Sequence, residues 1–172
     1  LDVSGSMGIY SPLKNINCRE AGAAIVSMFV NKLGDKVRTM AFTSTFQPLM
    51  VLPGDGPKEV IEKTYNLPYG ATDCALPMLF ALKHKINVDV FGIITDSETW
   101  YGNVHPVMAL RKYRERVNPN AKIFILAMTA TDITILEPED PGSLEIVGLD
   151  TDAMKVLEKF VRGDLFSSDL TR

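Results

Sequence analysis

The sequence predicts one α/β domain: a doubly wound, mainly parallel sheet with helices on both faces and one antiparallel edge strand. Three observations support this fold class. The 172 residues give room for one domain of ordinary size. Apolar strand-like runs alternate with amphipathic helical stretches, a pattern typical of parallel strands joined by right-handed crossovers. Two of the runs have the apolar character of strands that are buried on both faces.

Three runs rich in apolar, β-branched and aromatic residues predict the main strands. They lie at residues 37–42, 88–94 and 121–128. A fourth run, residues 46–52, follows the first after a turn of three residues, and so short a link permits only an antiparallel neighbour. Pro48 within this run is tolerated on an edge strand, so we expect the run to form one edge of the sheet.

The first predicted helix, Cys18–Leu33, carries apolar residues at three- and four-residue spacing. Asn17 is placed to cap its start and Gly34 to end it. Further helices are predicted at residues 57–65, with Pro57 in the first turn, and at 73–84, 105–117 and 152–161, the last behind a Thr151 cap. We expect one domain over residues 1–166 and a frayed polar tail over 167–172.

Asp2 raises a question about the first strand. A carboxylate at the carboxyl end of a strand should have four or five strand residues before it, but a single apolar residue precedes Asp2. We therefore expect this chain to be a piece of a longer polypeptide, with the first and central strand lying largely upstream of Leu1.

Composition and charge exclude several classes of protein. Lys and Arg number 18 against 21 Asp and Glu, so a surface with a net charge of −3 repels a phosphate backbone and any nucleic-acid contact must be local. No apolar run approaches the roughly 18 to 20 residues that span a bilayer, and the start lacks the pattern of a signal peptide. Cys18 and Cys74 have no CxxC spacing, so we expect buried thiols in a reduced, cytoplasmic compartment.

Five oxygen-bearing residues in three loops form a candidate metal site. Asp2, Ser4 and Ser6 make the pattern D-x-S-x-S, Thr72 lies just before a predicted helix, and Asp96 ends a buried strand. In open α/β sheets, ligands bind beyond the carboxyl ends of the strands, where the strand order reverses. We therefore expect the three loops to converge on one crevice.

The donor types at this site favour Mg²⁺ or Mn²⁺, which accept oxygen ligands in octahedral arrangement. Two carboxylates and three hydroxyls leave at least one position open for an incoming acidic oxygen. Zinc is disfavoured, because neither His84 nor His105 has a second His or Cys at ligand spacing.

Other interpretations of the same residues remain open at this point. Taken singly, Ser4 and Ser6 are typical of a turn, Thr72 of a helix cap and Asp96 of a strand end. Asp2 at a strand end beside a metal would also suit a Mg²⁺-dependent phosphohydrolase, although Ser4 stands where such enzymes place a second carboxylate. A structural domain with an inert site is the third possibility.

The motifs DVSGSM, GATDC and ITDSE resemble the metal-ion-dependent adhesion site of von Willebrand factor A domains, and the resemblance covers essentially the whole chain. YGATDCALPM, VDVFGIITDSETWYGNVHPVMALRKYRERV and IVGLDTDAMKVLEKF are similar to the A domain that ends the Ro ribonucleoprotein autoantigens, including bacterial orthologues. The resemblance implies a Rossmann-like sheet in the order three-two-one-four-five-six. It also implies five metal ligands, some acting through water: Asp2, Ser4, Ser6, Thr72 and Asp96.

The family resemblance also implies a role and partners. It implies a binding module that is not an enzyme, in which an acidic side chain of a partner protein completes the metal shell. In Ro proteins, small non-coding Y RNAs and the ends of misfolded RNAs are held mainly by a preceding ring of helical repeats. We therefore expect RNA to be bound by another domain of the parent protein, and we expect no membrane contact.

Three further features of the sequence give weaker indications of function. The basic cluster at residues 111–116, with Tyr113 inside it, is typical of a solvated helix face, although it could also contact phosphates. Residues that follow Asp96 either rim the crevice or cover the top of the sheet: Glu98, Thr99, Trp100, Tyr101 and Asn103. We expect Cys74 to be a buried thiol rather than a nucleophile, and His105 to hydrogen-bond the backbone at a helix start.

Overall fold

The strands and helices alternate along the chain as the sequence predicts. The computed structural model describes residues 1–9, 15–68, 70–96, 101–129, 134–149 and 151–164. Its strands are β1 (Met40–Phe42), β2 (Phe46–Pro48), β3 (Val90–Thr95), β4 (Lys122–Ala127) and β5 (Ser143–Val147). Its α-helices are α1 (Cys18–Leu33), α2 (Pro57–Thr64), α3 (Leu76–His84), α4 (Pro106–Arg116) and α5 (Thr151–Arg162).

The strands form two hydrogen-bonded groups that a short segment joins. β3, β4 and β5 are parallel and neighbour one another in that order, whereas β1 and β2 pair antiparallel, as predicted. Residues 1–3 lie between the groups: Asp2 bridges Phe42 of β1 in parallel, and its amide donates to Ile94 O of β3 at 2.9 Å. The resulting order is β2, β1, residues 1–3, β3, β4, β5, which agrees with the order that the family resemblance implies.

Helix α1 has the ends that the sequence predicts. Asn17 and Glu20 form a reciprocal capping box, and the chain leaves the helix at Gly34 with φ of +56°, a conformation that favours glycine. A Cβ at Gly22 would lie 2.7 Å from Leu1 Cδ1. The absence of a side chain at Gly22 therefore lets α1 pack closely on residues 1–3.

Apolar side chains fill a layer on each face of the sheet, which confirms the doubly wound α/β class. On one face, α1 and α5 pack on Ile94, Phe124 and Leu126. On the other face, α3 and α4 pack on Phe91 and Ile93. Alternate residues of β3 thus pack in opposite apolar layers, as in a strand that is covered on both faces. Within the described residues, no helix is long and apolar enough to cross a membrane.

Several element boundaries differ from the predictions. Helix α3 begins at Leu76 rather than at residue 73, because Asp73 Oδ1 accepts the Ala75 amide at 3.0 Å and forms a turn there instead. Thr151 is the first residue of α5 and not the cap before it. The strands predicted at residues 37–42, 88–94 and 121–128 begin one to three residues later in the structure. The run at residues 46–52 forms a strand only over Phe46–Pro48, and β5 was not predicted. The expected polar tail lies outside the described residues.

Candidate functional site

The loop after residues 1–3 brings three of the predicted site residues together. The Ser4 amide donates to Asp2 Oδ1 at 2.8 Å, and the Ser4 and Ser6 hydroxyl oxygens lie 3.0 Å apart. A 3-10 turn over Gly5–Gly8 follows and folds the loop back on itself. Asp2 and Ser4 are buried whereas Ser6 is exposed, so the polar chain runs from the interior to the surface.

Thr72 comes to the same carboxylate from a distant part of the chain. Its hydroxyl donates to Asp2 Oδ2 at 3.3 Å. Two backbone bonds position it: the Asp73 amide donates to Thr43 O at 3.0 Å, and the Tyr101 amide donates to Thr72 O at 2.7 Å. The structure therefore gathers Asp2, Ser4, Ser6 and Thr72 into one hydrogen-bonded chain, at the carboxyl ends of the strands.

Asp96 lies at the end of β3, next to residues 1–3 in the sheet. It is 5% exposed, and its Oδ1 atom is buried without a hydrogen-bond partner. Its backbone oxygen accepts the Thr129 amide at 3.0 Å. Burial raises the pKa of Asp2, and the negative charge of Asp96 adds to that rise.

Sequence reasoning missed two neighbours of these carboxylates. The Thr95 hydroxyl donates to Asp2 Oδ2 at 2.7 Å, a shorter bond than that from Thr72. The sequence feature that could have identified Thr95 is its position directly before Asp96. Burial raises the pKa of the Cys18 thiol, and the charges of Asp96 and Asp2 raise it further. No spacing in the sequence links Cys18 to this site.

The surface around the crevice carries two strongly exposed apolar side chains. Ile9 is 62% exposed and its amide donates to Ser6 O, whereas Tyr101 is 70% exposed and its amide donates to Thr72 O. Tyr101 thus belongs to the rim, and Asn103, two residues further along the chain, is exposed. Glu98, Thr99 and Trp100, for which the sequence left two interpretations open, lie outside the described residues.

The basic cluster at residues 111–116 is a helix face on which two of the four basic side chains are paired with acids. Arg111 pairs with Glu137, and Arg114 Nη1 lies 2.6 Å from Asp140 Oδ2. Tyr113 is buried, and its hydroxyl donates to Ile86 O at 2.8 Å. These contacts support the solvated-face interpretation, while Lys112 and Arg116 of the same cluster are exposed.

The remaining candidate residues have structural positions. Cys18 and Cys74 are both buried thiols, as expected. His105 precedes α4, and its Nδ1 atom accepts the Val107 amide at 3.2 Å. Across the described residues, no group of three or more His, Cys, Asp or Glu side chains gathers. The crevice is therefore a site of two acids supplemented by hydroxyls.

Comparison with known proteins identifies the family of this chain. The family model described as "Ro60 vWA domain" matches residues 1–161. The chain belongs to the Ro60 von Willebrand factor A domain family. This finding confirms the resemblance that the sequence motifs indicate.

Two curated relatives of this Ro60 A domain are named "RNA-binding protein RO60". The protein of Deinococcus radiodurans is 35% identical over 96% of this chain, and that of Caenorhabditis elegans is 36% identical over 96%. The chain spans 31% and 26% of the lengths of these relatives. Both are named as RNA-binding proteins and neither as an enzyme.

Solved structures support the fold of this Ro60 A domain. The Ro (RSR) protein of D. radiodurans matches with a TM-score of 0.84 and 34% identity, over 95% of this chain and 33% of that one. An aerotolerance-related membrane protein of Bacteroides fragilis matches at 0.60 and 14% identity, over 94% and 96%. The manganese-loaded TRAP protein of Plasmodium vivax matches at 0.55 and 16% identity, over 94% and 70%. At these identities the last two show a shared fold only.

Proposed function

We propose that this domain is a metal-dependent protein-binding module within a Ro-type RNA-binding protein. Mg²⁺ or Mn²⁺ is held by oxygens of Asp2, Ser4, Ser6, Thr72 and Asp96, some of them acting through water. The observation that carries the proposal is the Asp96 Oδ1 atom, which is buried without a hydrogen-bond partner beside a second buried carboxylate.

The charges of the crevice support a bound cation. A buried carboxylate is costly unless it is paired, and within the described residues no Lys or Arg forms an ion pair with Asp2 or Asp96. Small divalent cations prefer oxygen ligands, and two acids with three hydroxyls supply them. A divalent ion would neutralise both carboxylates and satisfy the orphaned oxygen of Asp96.

The same donor set suits recruitment of an acidic partner. Hydroxyls add no negative charge, so a cation bound by two carboxylates is less neutralised than one held by four acids. When bound, the ion supplies electrostatic attraction for an acidic oxygen, which can replace a water at little electrostatic cost. We propose that an Asp or Glu side chain of a partner protein occupies that position, with Ser6 at the exposed end of the polar chain.

We propose that RNA is bound by another part of the parent protein. The relatives are named as RNA-binding proteins, but this chain matches only about a quarter to a third of their length. Its net charge is −3, and Arg111 and Arg114 are paired with acids. We propose that the domain contributes protein contacts to a cytoplasmic ribonucleoprotein that binds small non-coding RNA and takes part in RNA quality control.

The geometry favours binding over phosphohydrolase chemistry. A nucleophilic carboxylate needs an oxygen that substrate can reach, but Asp2 is buried and both of its oxygens accept hydrogen bonds. The position two residues later holds Ser4, whose hydroxyl contacts Ser6 and cannot act as a carboxylic acid would.

A pull-down with this chain as bait tests the proposed function. Partners are captured in Mg²⁺, and capture is repeated with chelator, with Thr72→Ala and with each exposed acid of the partner neutralised in turn. Thr64→Ala is the matched control, because Thr64 is also buried but its hydroxyl donates within α2 to Ile61 O. We expect chelator, Thr72→Ala and one partner substitution to abolish capture. Capture that is undiminished by chelator would contradict the proposal.

A further inference from the structure

Four exposed basic side chains lie at the ends of α3 and α4. Each of these helices ends shortly before the next parallel strand begins, so the helix ends lie at the amino ends of β3 and β4. The candidate site lies at the carboxyl ends of the strands, on the opposite edge of the sheet. We call these four residues the basic surface: Lys83, Lys85, Lys112 and Arg116.

Contacts from α4 hold the two helix ends together. The buried Tyr113 of α4 donates from its hydroxyl to Ile86 O at 2.8 Å and accepts the Val88 amide at 2.7 Å. Asn118, just beyond α4, donates from Nδ2 to Val88 O at 3.1 Å. Since Ile86 directly follows Lys85 in the chain, the end of α3 is fixed beside the end of α4.

The two sides of α4 face different neighbours. On one side, the Arg114 guanidinium donates to Asp140 at 2.6 Å and is directed toward β4 and β5. On the other side lies α3, because its Phe80 ring contacts the Phe46 ring of β2, which is at the far edge of the sheet from β5.

The helical rotation places Lys112 and Arg116 on the α3 side of α4. Successive residues of an α-helix are rotated by about 100°. Relative to Tyr113, Arg114 is rotated by about 100° in one direction, whereas Lys112 is rotated by about 100° and Arg116 by about 60° in the other. The two basic side chains of α4 therefore lie next to the end of α3, which carries Lys83 and Lys85.

The charges of the basic surface are not neutralised by ion pairs. Within the described residues, none of its four side chains forms a salt bridge. Burial raises the pKa of Tyr113, and the negative charge of Asp89 raises it further, so Asp89 lies near this surface. Glu115 is rotated by about 160° from Tyr113 and lies on the far side of α4. Positive charge thus concentrates here in a chain whose net charge is −3.

Lys85 has a backbone conformation in which glycine is the usual residue. Its φ of +52° and ψ of +38° are left-handed, and the next amide, that of Ile86, donates to Ala81 O at 2.9 Å. This is the pattern of a Schellman helix end. A side chain in this conformation is strained, so lysine at this position costs stability. A contact made by its charge would account for a lysine here.

We propose that the basic surface contacts the phosphate backbone of RNA without regard to base sequence. The inference rests on the RNA-binding parent protein of the proposed function, but not on the metal. Ammonium and guanidinium groups bind phosphate oxygens and release counterions. The Tyr113 ring is buried and cannot stack on a base, which suits contact with phosphates rather than with bases. RNA that is held by another part of the parent gains a second, electrostatic contact here.

The test measures RNA binding as a function of salt. The probe is a fluorescently labelled oligouridylate of about 20 nucleotides, and its anisotropy is titrated with the chain at about 25 to 150 mM NaCl. EDTA is present, so that no metal contributes. One variant is Lys112→Gln/Arg116→Gln. The matched control, Lys58→Gln/Lys155→Gln, also removes two positive charges and so also changes the net charge from −3 to −5, but on α2 and α5.

Four phosphate contacts predict the salt dependence. For a single strand, the logarithm of the affinity should fall with the logarithm of the salt concentration at a slope of about −2.8, a weakening of about 150-fold over this range. The Lys112→Gln/Arg116→Gln chain should show a slope of about −1.4 and a weakening of about 12-fold, whereas the control keeps the wild-type slope. Equal slopes in the two double variants, or no wild-type binding at about 25 mM salt, would overturn the proposal.

Lys85→Gly separates the charge of this residue from its effect on the helix end. Glycine suits the left-handed conformation, so Tm should be unchanged or higher, while the slope should fall to about −2.1. A lower Tm would show that Lys85 stabilises the end of α3, and an unchanged slope would exclude it from the RNA contact.

Two further measurements identify the ligand and locate the contact. A polyglutamate of equal length should bind more weakly than the oligouridylate; equal or tighter binding would overturn the assignment to RNA in favour of an acidic protein segment. Amide chemical shifts that the oligouridylate changes should centre on residues 83–86 and 112–118, and changes centred on residues 1–9 would contradict the proposal. If RNA binds as predicted but no metal binds, the proposed metal-dependent function fails and the basic surface stands. If metal binds but the slopes do not differ, only the basic surface fails.

Discussion

Thr95→Val is the substitution whose effect follows most directly from the geometry of the crevice. The Thr95 hydroxyl donates to Asp2 Oδ2 at 2.7 Å, and both residues are buried. Valine has nearly the same shape but places a methyl group where the donor was. The Asp2 carboxylate then keeps the Ser4 amide at 2.8 Å and the longer Thr72 bond at 3.3 Å.

The expected loss comes from one charge-assisted hydrogen bond. Such a bond contributes about 1.5 to 3 kcal/mol to folding stability. A chain of this size loses about 2 to 4 °C in Tm for each kcal/mol, so a loss near 2 kcal/mol lowers Tm by about 4 to 8 °C. The backbone bond from the Met128 amide to Thr95 O is unaffected, so the rest of the β3–β4 pairing should persist.

A double-mutant cycle isolates the bond. Stability is measured by urea unfolding without metal at neutral pH for the wild type, Thr95→Val, Asp2→Asn and the double variant. Thr64→Val is the control for loss of a buried threonine hydroxyl, because Thr64 donates to a helix carbonyl and not to a charge. We expect a coupling energy of about 1 to 2 kcal/mol between Thr95 and Asp2. Additive effects within about 0.3 kcal/mol would refute the assignment of this bond.

Three further predictions concern charge. Burial raises the pKa of Asp2 above its ordinary value of 3.8, so in metal-free protein the ionised form of Asp2 destabilises the fold. Asp2→Asn should therefore be more stable than wild type at neutral pH, and urea unfolding should show this difference vanishing as pH falls to about 3.8. Hydrogen bonds from Ser143 and Arg114 lower the pKa of Asp140 despite its burial. Arg114→Met should therefore lower the free energy of unfolding by about 2 kcal/mol at neutral pH, and this loss should shrink as pH falls below 3.8. In a gel shift at about 150 mM salt, near physiological ionic strength, this chain should bind RNA only non-specifically. Submicromolar, sequence-dependent binding would contradict this prediction and place an RNA surface on this domain.

The alternation of apolar strands and capped helices made the fold class predictable from sequence. Helix α1 was predicted to the residue, because Asn17 and Gly34 mark its ends through local backbone chemistry. β5 was missed because only Ile146 among its residues is buried, so its sequence lacks the apolar run of β3 and β4. The true start of α3 depends on the Asp73 side chain bonding its own backbone, which competes with helix formation.

The residue types of the candidate site and its position in the sheet topology were predictable from the sequence. The sequence placed five residues in three loops that were expected to converge at the carboxyl ends of the strands, and the structure brings these loops together there: Asp2, Ser4, Ser6, Thr72 and Asp96. It could not show that Thr95 bonds Asp2, because a threonine at a strand end faces either neighbouring layer. The proximity of Cys18 to the acids likewise depends on how α1 packs over Gly22, which is a tertiary property.

Calorimetric titration with Mg²⁺ and with Mn²⁺ tests the metal site most directly. The wild-type chain is compared with Asp96→Ala and with Asp73→Asn, a control that removes a buried acid beside Thr72 but keeps an oxygen for the Ala75 amide. We predict one bound ion per wild-type chain, no measurable binding to a folded Asp96→Ala chain, and at most a several-fold weaker affinity for Asp73→Asn. Absence of binding to the wild type, or equal affinity in Asp96→Ala, would contradict the assignment of a divalent cation to this crevice.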